Sequence, residues 1–150
     1  MERIYIDTSV FGGYFELEFE LWTKVLFGKI NDGAFIVIIS RLTDVELQKA
    51  PQHVKDLFSS IPENQIEFVE ISEPAINLAE TYIKEKVAGK SSMSDCLHIA
   101  IATIINADVL VSWNFKHIVN LTRIRGYNSI NYRQGYKMLE IRTPREILET

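Results

Sequence analysis

Runs of β-favouring residues alternate along the chain with stretches in which apolar residues recur at helical spacing. The β-branched and aromatic runs predict strands at residues 4–6, 35–39, 66–71, 108–112 and 138–141. The helical spacing predicts helices over residues 17–30, 41–50, 53–60, 73–87 and 95–106. The region 117–135 has a mixed pattern that predicts short helices or turns, and a capped turn is expected at 143–146. Strands that alternate with helices in this way are typical of parallel βαβ units.

Turn and capping residues predict where several of these elements begin and end. Gly12-Gly13 predicts a turn after the first strand, and Asn31-Asp32-Gly33 ends the first helix. The expected N-caps of three later helices are Ser40, Ser72 and Ser94. Along the first helix, the apolar residues at helical spacing are Leu17, Leu21 and Val25.

The chain length and composition favour one folded domain. A chain of 150 residues fits a single domain, and its 47% hydrophobic residues are enough to form a sizeable core. The sequence contains no internal repeat, low-complexity segment or linker. The expected architecture is a single three-layer α/β/α domain over residues 1–150, with a central, mostly parallel sheet.

Charge is distributed unevenly, although the formal net charge is only -4. Residues 1–111 contain 9 Lys and Arg against 17 Asp and Glu, whereas residues 112–150 contain 7 against 3. The negative total argues against general affinity for duplex nucleic acid. An acidic centre with a basic C-terminal third could hold a metal ion in one place and a phosphate backbone nearby. Ordinary variation in surface charge is the alternative explanation.

Cysteine content and hydropathy exclude several classes of protein. Cys96 is the single cysteine, which excludes an internal disulfide and a cysteine-based zinc cluster. The N-terminus lacks the charged and apolar regions of a signal peptide. The longest apolar region, residues 97–111, is interrupted by polar side chains and is too short to span a bilayer. We therefore expect a cytoplasmic protein without membrane attachment.

Asp7 is the first candidate functional residue, because it directly follows the first predicted strand. Ligands of open α/β sheets bind beyond the carboxyl ends of the strands. A carboxylate at that edge is costly to bury without a partner, which favours a metal-binding or hydrogen-bonding role. Capping of nearby backbone N–H groups by Asp7 is an equally open alternative.

Glu46 is the second candidate, on the helix that follows Ser40. At 3.6 residues per turn, Glu46 shares the expected inner face with Leu42 and Val45, while Asp44 points the opposite way. An acid on an inner face indicates a site, and a salt bridge to Lys49 or another neighbour is the alternative.

Asp95, His98 and Asn114 complete the set of candidates. Asp95 lies in the first turn of an almost wholly apolar helix, where its charge also suits the helix dipole. His98 shares a face with Asp95 and is a candidate supporting partner for it, or else a buried histidine with satisfied hydrogen bonds. Asn114 follows the strand at 108–112. Such a group of carboxylate and carbonyl oxygens suits Mg²⁺ or Mn²⁺ better than zinc.

Four segments in this order resemble the motifs of PIN-domain nucleases. Residues 4–10, with the sequence Ile-Tyr-Ile-Asp-Thr-Ser-Val, resemble the opening motif. Residues 40–47 resemble the second motif and place the family's glutamate at Glu46, and residues 94–100 resemble the third and place its aspartate at Asp95. Ser112-Trp113-Asn114 falls where the family usually has Thr/Ser-x-Asp. The segment 112–118 further resembles a subgroup of VapC-like toxins.

The resemblance implies a PIN fold and a metal-dependent endoribonuclease that uses Mg²⁺ or Mn²⁺ to hydrolyse RNA. It also implies an antitoxin protein that inserts into the acidic groove, and a homodimer. The metal ligands that it implies are Asp7, Glu46 and Asp95. Ser9 and Ser112 would orient carboxylates, His98 would support them, and Asn114 would position water or a second ion. Asn114 replaces the usual carboxylate, which weakens the attraction for that second cation.

Two other functions fit parts of the pattern. A PIN-shaped RNA- or protein-binding module with impaired catalysis is favoured by Asn114. A phosphotransferase of the haloacid-dehalogenase type would also place Asp7 after its first strand, but that chemistry needs a second aspartate at Ser9. Candidates for contacts with an RNA backbone, or for ordinary solvated surface, are Lys116, Arg123, Arg125 and Arg133.

Overall fold

The computed structural model describes residues 1–149 and contains one central sheet of five strands. The strands are β1 (Glu2–Ile6), β2 (Phe35–Ser40), β3 (Ile66–Val69), β4 (Val109–Val111) and β5 (Ile141–Arg142). They are all parallel and lie in the order β3-β2-β1-β4-β5. The predicted α/β architecture with a parallel sheet is therefore confirmed.

Eight helices connect or flank these strands in the described part of the chain. They are α1 (Thr8–Gly13), α2 (Glu20–Asn31), α3 (Arg41–Gln48), α4 (Gln52–Ser59), α5 (Glu73–Lys84), α6 (Met93–Ile104), α7 (Leu121–Arg133) and α8 (Pro144–Leu148). None of the helices within residues 1–149 is long and apolar enough to cross a membrane.

The sheet separates two hydrophobic cores, because successive side chains of a strand point to opposite faces. On one face, Tyr5, Ile38 and Leu110 pack against the buried sides of α5, α6 and α7. On the other face, Ile4, Ile6, Val37, Ile39, Val109 and Val111 pack against α1, α2, α4 and α8. The three-layer arrangement follows from this alternation of apolar side chains.

The order of the strands determines where a ligand can bind. The chain passes from β1 to β2 and β3 in one direction, and then places β4 and β5 on the other side of β1. In an open α/β sheet, such a reversal opens a crevice beyond the carboxyl ends of the strands on either side of it. Asp7 follows β1 and residues 112–114 follow β4, so these candidates border the crevice.

The first two helices differ from the prediction. Gly12 and Gly13 lie within α1 instead of forming a turn. The buried residues of α2 are Thr23, Leu26, Phe27 and Ile30, whereas Leu17 precedes the helix and is 89% exposed. The cause is long-range packing, because Gly13 lies so close to the Trp113 ring that the local preference of two glycines for a turn is overridden.

The last two large helices also differ from the prediction. Ser92, and not Ser94, occupies the N-cap position of α6, so that Ser94 lies inside the helix. Residues 121–133 form one continuous helix instead of short pieces, and its cap is Asn120, whose side chain accepts the N–H of Arg123. The buried face of α7 contains Asn128 and Asn131, and these polar residues hide the helical period in the sequence.

Replacement of Gly13 by alanine is expected to destabilise the fold. An added Cβ would lie 2.6 Å from Trp113 Cδ1 and 2.8 Å from Trp113 Nε1, so the indole ring has to move away from Thr23, to which it donates a hydrogen bond. We expect Gly13→Ala to lower the free energy of unfolding by about 1–3 kcal/mol, as measured by urea denaturation.

Gly28→Ala is the matched control for this substitution. Gly28 lies inside α2, and an added Cβ there has no neighbour within 4 Å. The control is expected to raise the free energy of unfolding by about 0.5–1 kcal/mol, because alanine is the better helix former. Equal stability of the two variants would contradict the close contact between Gly13 and Trp113.

Candidate active site

Asp7 is only 4% exposed, and each of its carboxylate oxygens accepts a hydrogen bond from a serine. Ser9 Oγ donates to Oδ1 and Ser112 Oγ donates to Oδ2, each at 2.6 Å. The same hydroxyl oxygens accept hydrogen bonds of 2.9 Å from the backbone: Ser9 Oγ from the N–H of Trp113, and Ser112 Oγ from the N–H of Asn114. The carboxylate at the end of β1 therefore holds the segment that follows β4.

The groups around Asp7 have opposing effects on the pKa of its carboxyl group. Burial raises the pKa of Asp7, and the negative charge of Asp95 raises it further. The charge of His98 and the hydrogen bonds from Ser112 and Ser9 act in the opposite direction but do not cancel the effect of burial. The result is a buried carboxyl group whose charged form a cation would stabilise.

Glu46 lies on α3 and receives hydrogen bonds from two other helices. Its Oε1 is 2.6 Å from Thr8 Oγ1 and 2.7 Å from His98 Nε2, and its Oε2 accepts a bond of 2.9 Å from Ser94 Oγ. Burial raises the pKa of Glu46, but the hydrogen bond and charge of His98, with the two hydroxyl donors, outweigh burial and hold the pKa at about 2. Glu46 is therefore the firmly ionised acid of the site.

The neighbours of Glu46 correct one detail of the prediction. The inner face of α3 is formed by the buried residues Thr43 and Leu47, whereas Val45 is 42% exposed. The expected partner of Glu46, Lys49 or another neighbour, is His98, whose Nε2 lies 2.7 Å from Glu46 Oε1. Thr43 donates its backbone N–H to the side chain of the capping Ser40 and is itself buried. The side of α3 that carries Thr43 therefore faces the core, instead of the side that carries Val45.

His98 belongs to a chain of hydrogen bonds that leads away from Glu46 into the core. Its Nδ1 lies 2.7 Å from the Tyr5 hydroxyl, which lies 2.7 Å from Ser40 Oγ. Of the two alternatives that the sequence left for His98, the structure supports a buried histidine with satisfied hydrogen bonds, because its partners are Glu46 and Tyr5 instead of Asp95. Tyr5 was missed as a site residue because it resembles an ordinary strand residue, and its position two residues before Asp7 was the available signal.

Asp95 and Asn114 lie next to each other. Asn114 Oδ1 accepts the backbone N–H of His117 at 3.0 Å, which orients the amide so that its Nδ2 donates to Asp95 Oδ1 at 3.2 Å. Burial raises the pKa of Asp95 and the charge of Glu46 adds to this, whereas His117, His98 and Arg123 lower it. Asn114 thus supplies a donor to a carboxylate in a setting that disfavours its charge.

The three acids are linked through their charges, although each has its own hydrogen-bond partners. Asp95 acts on the pKa of Asp7, and Glu46 acts on the pKa of Asp95. No three His, Cys, Asp or Glu side chains within residues 1–149 are close enough to enclose one metal ion. Mg²⁺ does not need such a cage, because it keeps several waters and binds through one or two carboxylates and substrate phosphates. Carboxylate oxygens at this crevice are therefore a donor set that fits Mg²⁺ or Mn²⁺.

The single cysteine and one of the candidate basic residues have no role in this crevice. Cys96 is buried, and burial raises the pKa of its thiol to about 11, which makes it an inert packing residue. Arg133 pairs with Glu85 at 3.1 Å on the protein surface. Arg123 is different, since its charge acts on Asp95.

Comparison with known proteins finds a likeness of fold. A chain in the crystal structure of VapBC2 from Rickettsia felis, bound to a DNA fragment from their promoter, superposes with a TM-score of 0.58 and 17% sequence identity. The superposition covers 94% of this chain and 98% of that one. Neither the protein-family models nor the curated proteins contain a match to the sequence. At this level of identity the likeness establishes the fold, which is a PIN-like α/β fold with a wholly parallel sheet.

Proposed function

We propose that this protein is an endoribonuclease of the toxin type that depends on Mg²⁺ or Mn²⁺ and hydrolyses RNA phosphodiester bonds. The observation that carries the proposal is the buried carboxylate of Asp7 at the reversal point of the sheet, coupled by charge to Asp95. A buried acid with a raised pKa in a crevice is a common sign of a functional site. The resemblance of the ordered motifs to PIN-domain nucleases supplies the reaction class.

Each residue has a distinct part in this proposal. Of the carboxylates of Asp7, Glu46 and Asp95, one or two would bind the ion directly and the others through its coordinated waters. The ion would supply an activated water and offset the charge that develops on the phosphodiester. Ser9 and Ser112 orient the Asp7 oxygens, and His98 keeps Glu46 ionised. Asn114 fixes the position of Asp95 through its amide group.

The proposed partners come from the same resemblance. We propose an antitoxin protein that covers the acidic crevice, and a homodimer as the assembly. The fold shared with a chain of VapBC2 supports this assignment to the toxin type.

A second candidate function is an RNA- or protein-binding module with impaired catalysis. It is favoured by Asn114, whose neutral amide already donates to Asp95 and so reduces the need for a cation there. Metal affinity distinguishes the two functions, because only the nuclease requires a bound divalent ion.

Replacement of Asp7 by asparagine is expected to abolish cleavage. The asparagine amide has no negative charge. Its nitrogen, which replaces one carboxylate oxygen, cannot accept the hydrogen bond that a serine hydroxyl donates there. We expect Asp7→Asn to reduce metal-dependent cleavage by about 100-fold or more, since loss of an outer partner alone reduces metal affinity by about 10–100-fold. The measurement is cleavage of a mixed set of fluorescent RNAs with and without Mn²⁺, together with Mn²⁺ titration by calorimetry.

Asp44→Asn is the control for this experiment, because Asp44 lies on α3 with Arg41 and Gln48 as its partners. It is expected to retain the wild-type rate. Equal cleavage by wild type and Asp7→Asn would exclude the proposed role of Asp7. Absence of both cleavage and Mn²⁺ binding in the wild type would exclude the nuclease and leave the binding module.

Replacement of Asn114 by aspartate is expected to strengthen metal binding. It would place a carboxylate oxygen where the amide nitrogen now lies 3.2 Å from Asp95 Oδ1. Two charges about 4 Å apart repel by about 4 kcal/mol at an effective dielectric constant of about 20, and a bound cation relieves this repulsion. We expect Asn114→Asp to raise the Mn²⁺ affinity by about tenfold or more in a calorimetric titration.

Asn77→Asp makes the same change of charge at an exposed position of α5. It is expected to leave the Mn²⁺ affinity unchanged. An equal or weaker affinity for Asn114→Asp than for the wild type would mean that Asn114 does not face the ion.

The toxin assignment predicts an effect on growing bacteria. Induced expression of the wild-type chain is expected to stop colony formation, because a ribonuclease without its antitoxin degrades cellular RNA. Expression of Asp7→Asn at the same level is expected to permit growth, as measured by colony counts. Equal toxicity of the two forms would contradict a toxin that acts through this site.

A further inference from the structure

A cavity of about 340 Å³ lies where the segment between α5 and α6 meets α7. Its three charged lining residues are all basic, namely Lys86, Lys90 and Arg123. The rest of its wall is mainly apolar and belongs to residues 83–89. Low-dielectric walls strengthen the field of the charges that they surround. The cavity is therefore a concentrated region of positive charge on an otherwise acidic protein.

Arg123 has a buried nitrogen without a hydrogen-bond partner. Within residues 1–149, Arg123 Nη1 and Gln65 Oε1 are the two buried side-chain atoms that lack one. A buried donor that remains unpaired is costly, and a guanidinium presents its donors in a fork that matches phosphate. Lys90, which lines the cavity, begins the short 3₁₀ turn Lys90–Ser92 that leads directly into α6, and Asp95 lies in the first turn of that helix, so the cavity lies beside the candidate active site.

Lys86 has a backbone conformation that lysine disfavours. Its φ is 63°, in the left-handed region, directly after the end of α5. The N–H of Lys86 donates to Ile83 O and the N–H of Val87 donates to Tyr82 O, each at 3.0 Å, so the helix ending requires this conformation. Glycine is the usual residue at such a position. Lysine therefore occupies a position at the edge of the cavity where glycine would be less strained.

Close packing fixes Arg123 relative to the two lysines. Gly126, one turn after Arg123 on α7, approaches Val87 so closely that a Cβ at position 126 would lie 2.7 Å from Val87 Cγ1. The helix that carries Arg123 is thereby held against the segment that carries Lys86 and Lys90. The three cationic groups line the same cavity on elements that do not need to rearrange.

We propose that Lys86, Lys90 and Arg123 form a phosphate subsite, which holds an RNA backbone phosphate next to the one at the acidic crevice. This proposal rests on the proposed function. A phosphate fits better than a carboxylate because it offers more acceptor oxygens, and charge-assisted hydrogen bonds to them suit a group of cationic donors. The subsite attracts the polyanion at a point where the crevice itself, with its three acids, repels it.

RNA binding in the absence of cleavage tests the subsite. The affinity of a fluorescent single-stranded RNA is measured by anisotropy in EDTA, at several salt concentrations. We expect Arg123→Gln and Lys86→Gly each to weaken binding by about tenfold, and to reduce the slope of log affinity against log salt by about 0.7 for each phosphate that is no longer bound. Lys29→Gln removes one positive charge from an exposed position of α2, which packs on the other face of the sheet, and it is the control that is expected to bind as the wild type does.

Lys86→Gly also separates binding from folding. Glycine tolerates the left-handed conformation, so this variant is expected to melt at a higher temperature than the wild type while it binds RNA more weakly. A purely structural role of Lys86 would not give this combination. Even if Arg123→Gln failed to fold, Lys86→Gly would still test the proposal.

The remaining outcomes overturn the subsite in distinguishable ways. If both variants bind RNA as the wild type does, the subsite is excluded, while the nuclease proposal remains subject to the Asp7→Asn experiment. If the wild type does not bind RNA, the subsite is excluded together with the RNA substrate. If the variants retain RNA affinity but lose affinity for a labelled poly-glutamate peptide, the cavity binds protein carboxylates, which excludes a phosphate site.

Discussion

The buried carboxylate of Asp7 is the constraint on which the site depends. Removing an ion from water costs several kcal/mol, and hydrogen bonds to a charged group contribute about 1.5–3 kcal/mol each. The bonds from Ser9 and Ser112 therefore offset a large part of the cost of burial. The same two hydroxyl groups accept hydrogen bonds from backbone N–H groups of the segment after β4, so the groups that favour the charged form of Asp7 also determine the position of Asn114.

The three acids divide into two kinds. His98 and two hydroxyl groups hold Glu46 firmly ionised, and Tyr5 and Ser40 hold His98 in place. Asp7 and Asp95 have raised pKa values because burial disfavours their charge. In the proposed nuclease, cation affinity would therefore depend mainly on these two aspartates, whose charged forms would gain most from a bound ion. Glu46 supplies a constant negative charge beside them.

The sequence was sufficient for the parallel arrangement and for four of the five strands, but not for β5, which covers residues 141–142 instead of 138–141, nor for the hydrogen-bond partners of the candidate acids. The strands could be predicted because a run of β-branched residues marks a buried strand within a few consecutive positions. Asp7 could be placed because it directly follows such a run. The pairing of His98 with Glu46, the helical state of Gly13 and the continuity of α7 all depend on residues distant in sequence, such as Trp113 beside Gly13. No local pattern contains that information.

A crevice of acids beside a cavity of bases resolves an electrostatic conflict in the proposed reaction. Carboxylates that attract a cation also repel the phosphates of RNA, and the ion can offset this only inside the crevice. Fixed charges at Lys86, Lys90 and Arg123 do not depend on the ion, so they can hold the RNA whether or not the metal is present. Binding of RNA then belongs to the three basic side chains and cleavage to the neighbouring acids, so the two properties can be changed separately. The strain at Lys86 fits this division, because glycine would stabilise the fold there but would remove one of the charges that hold the RNA.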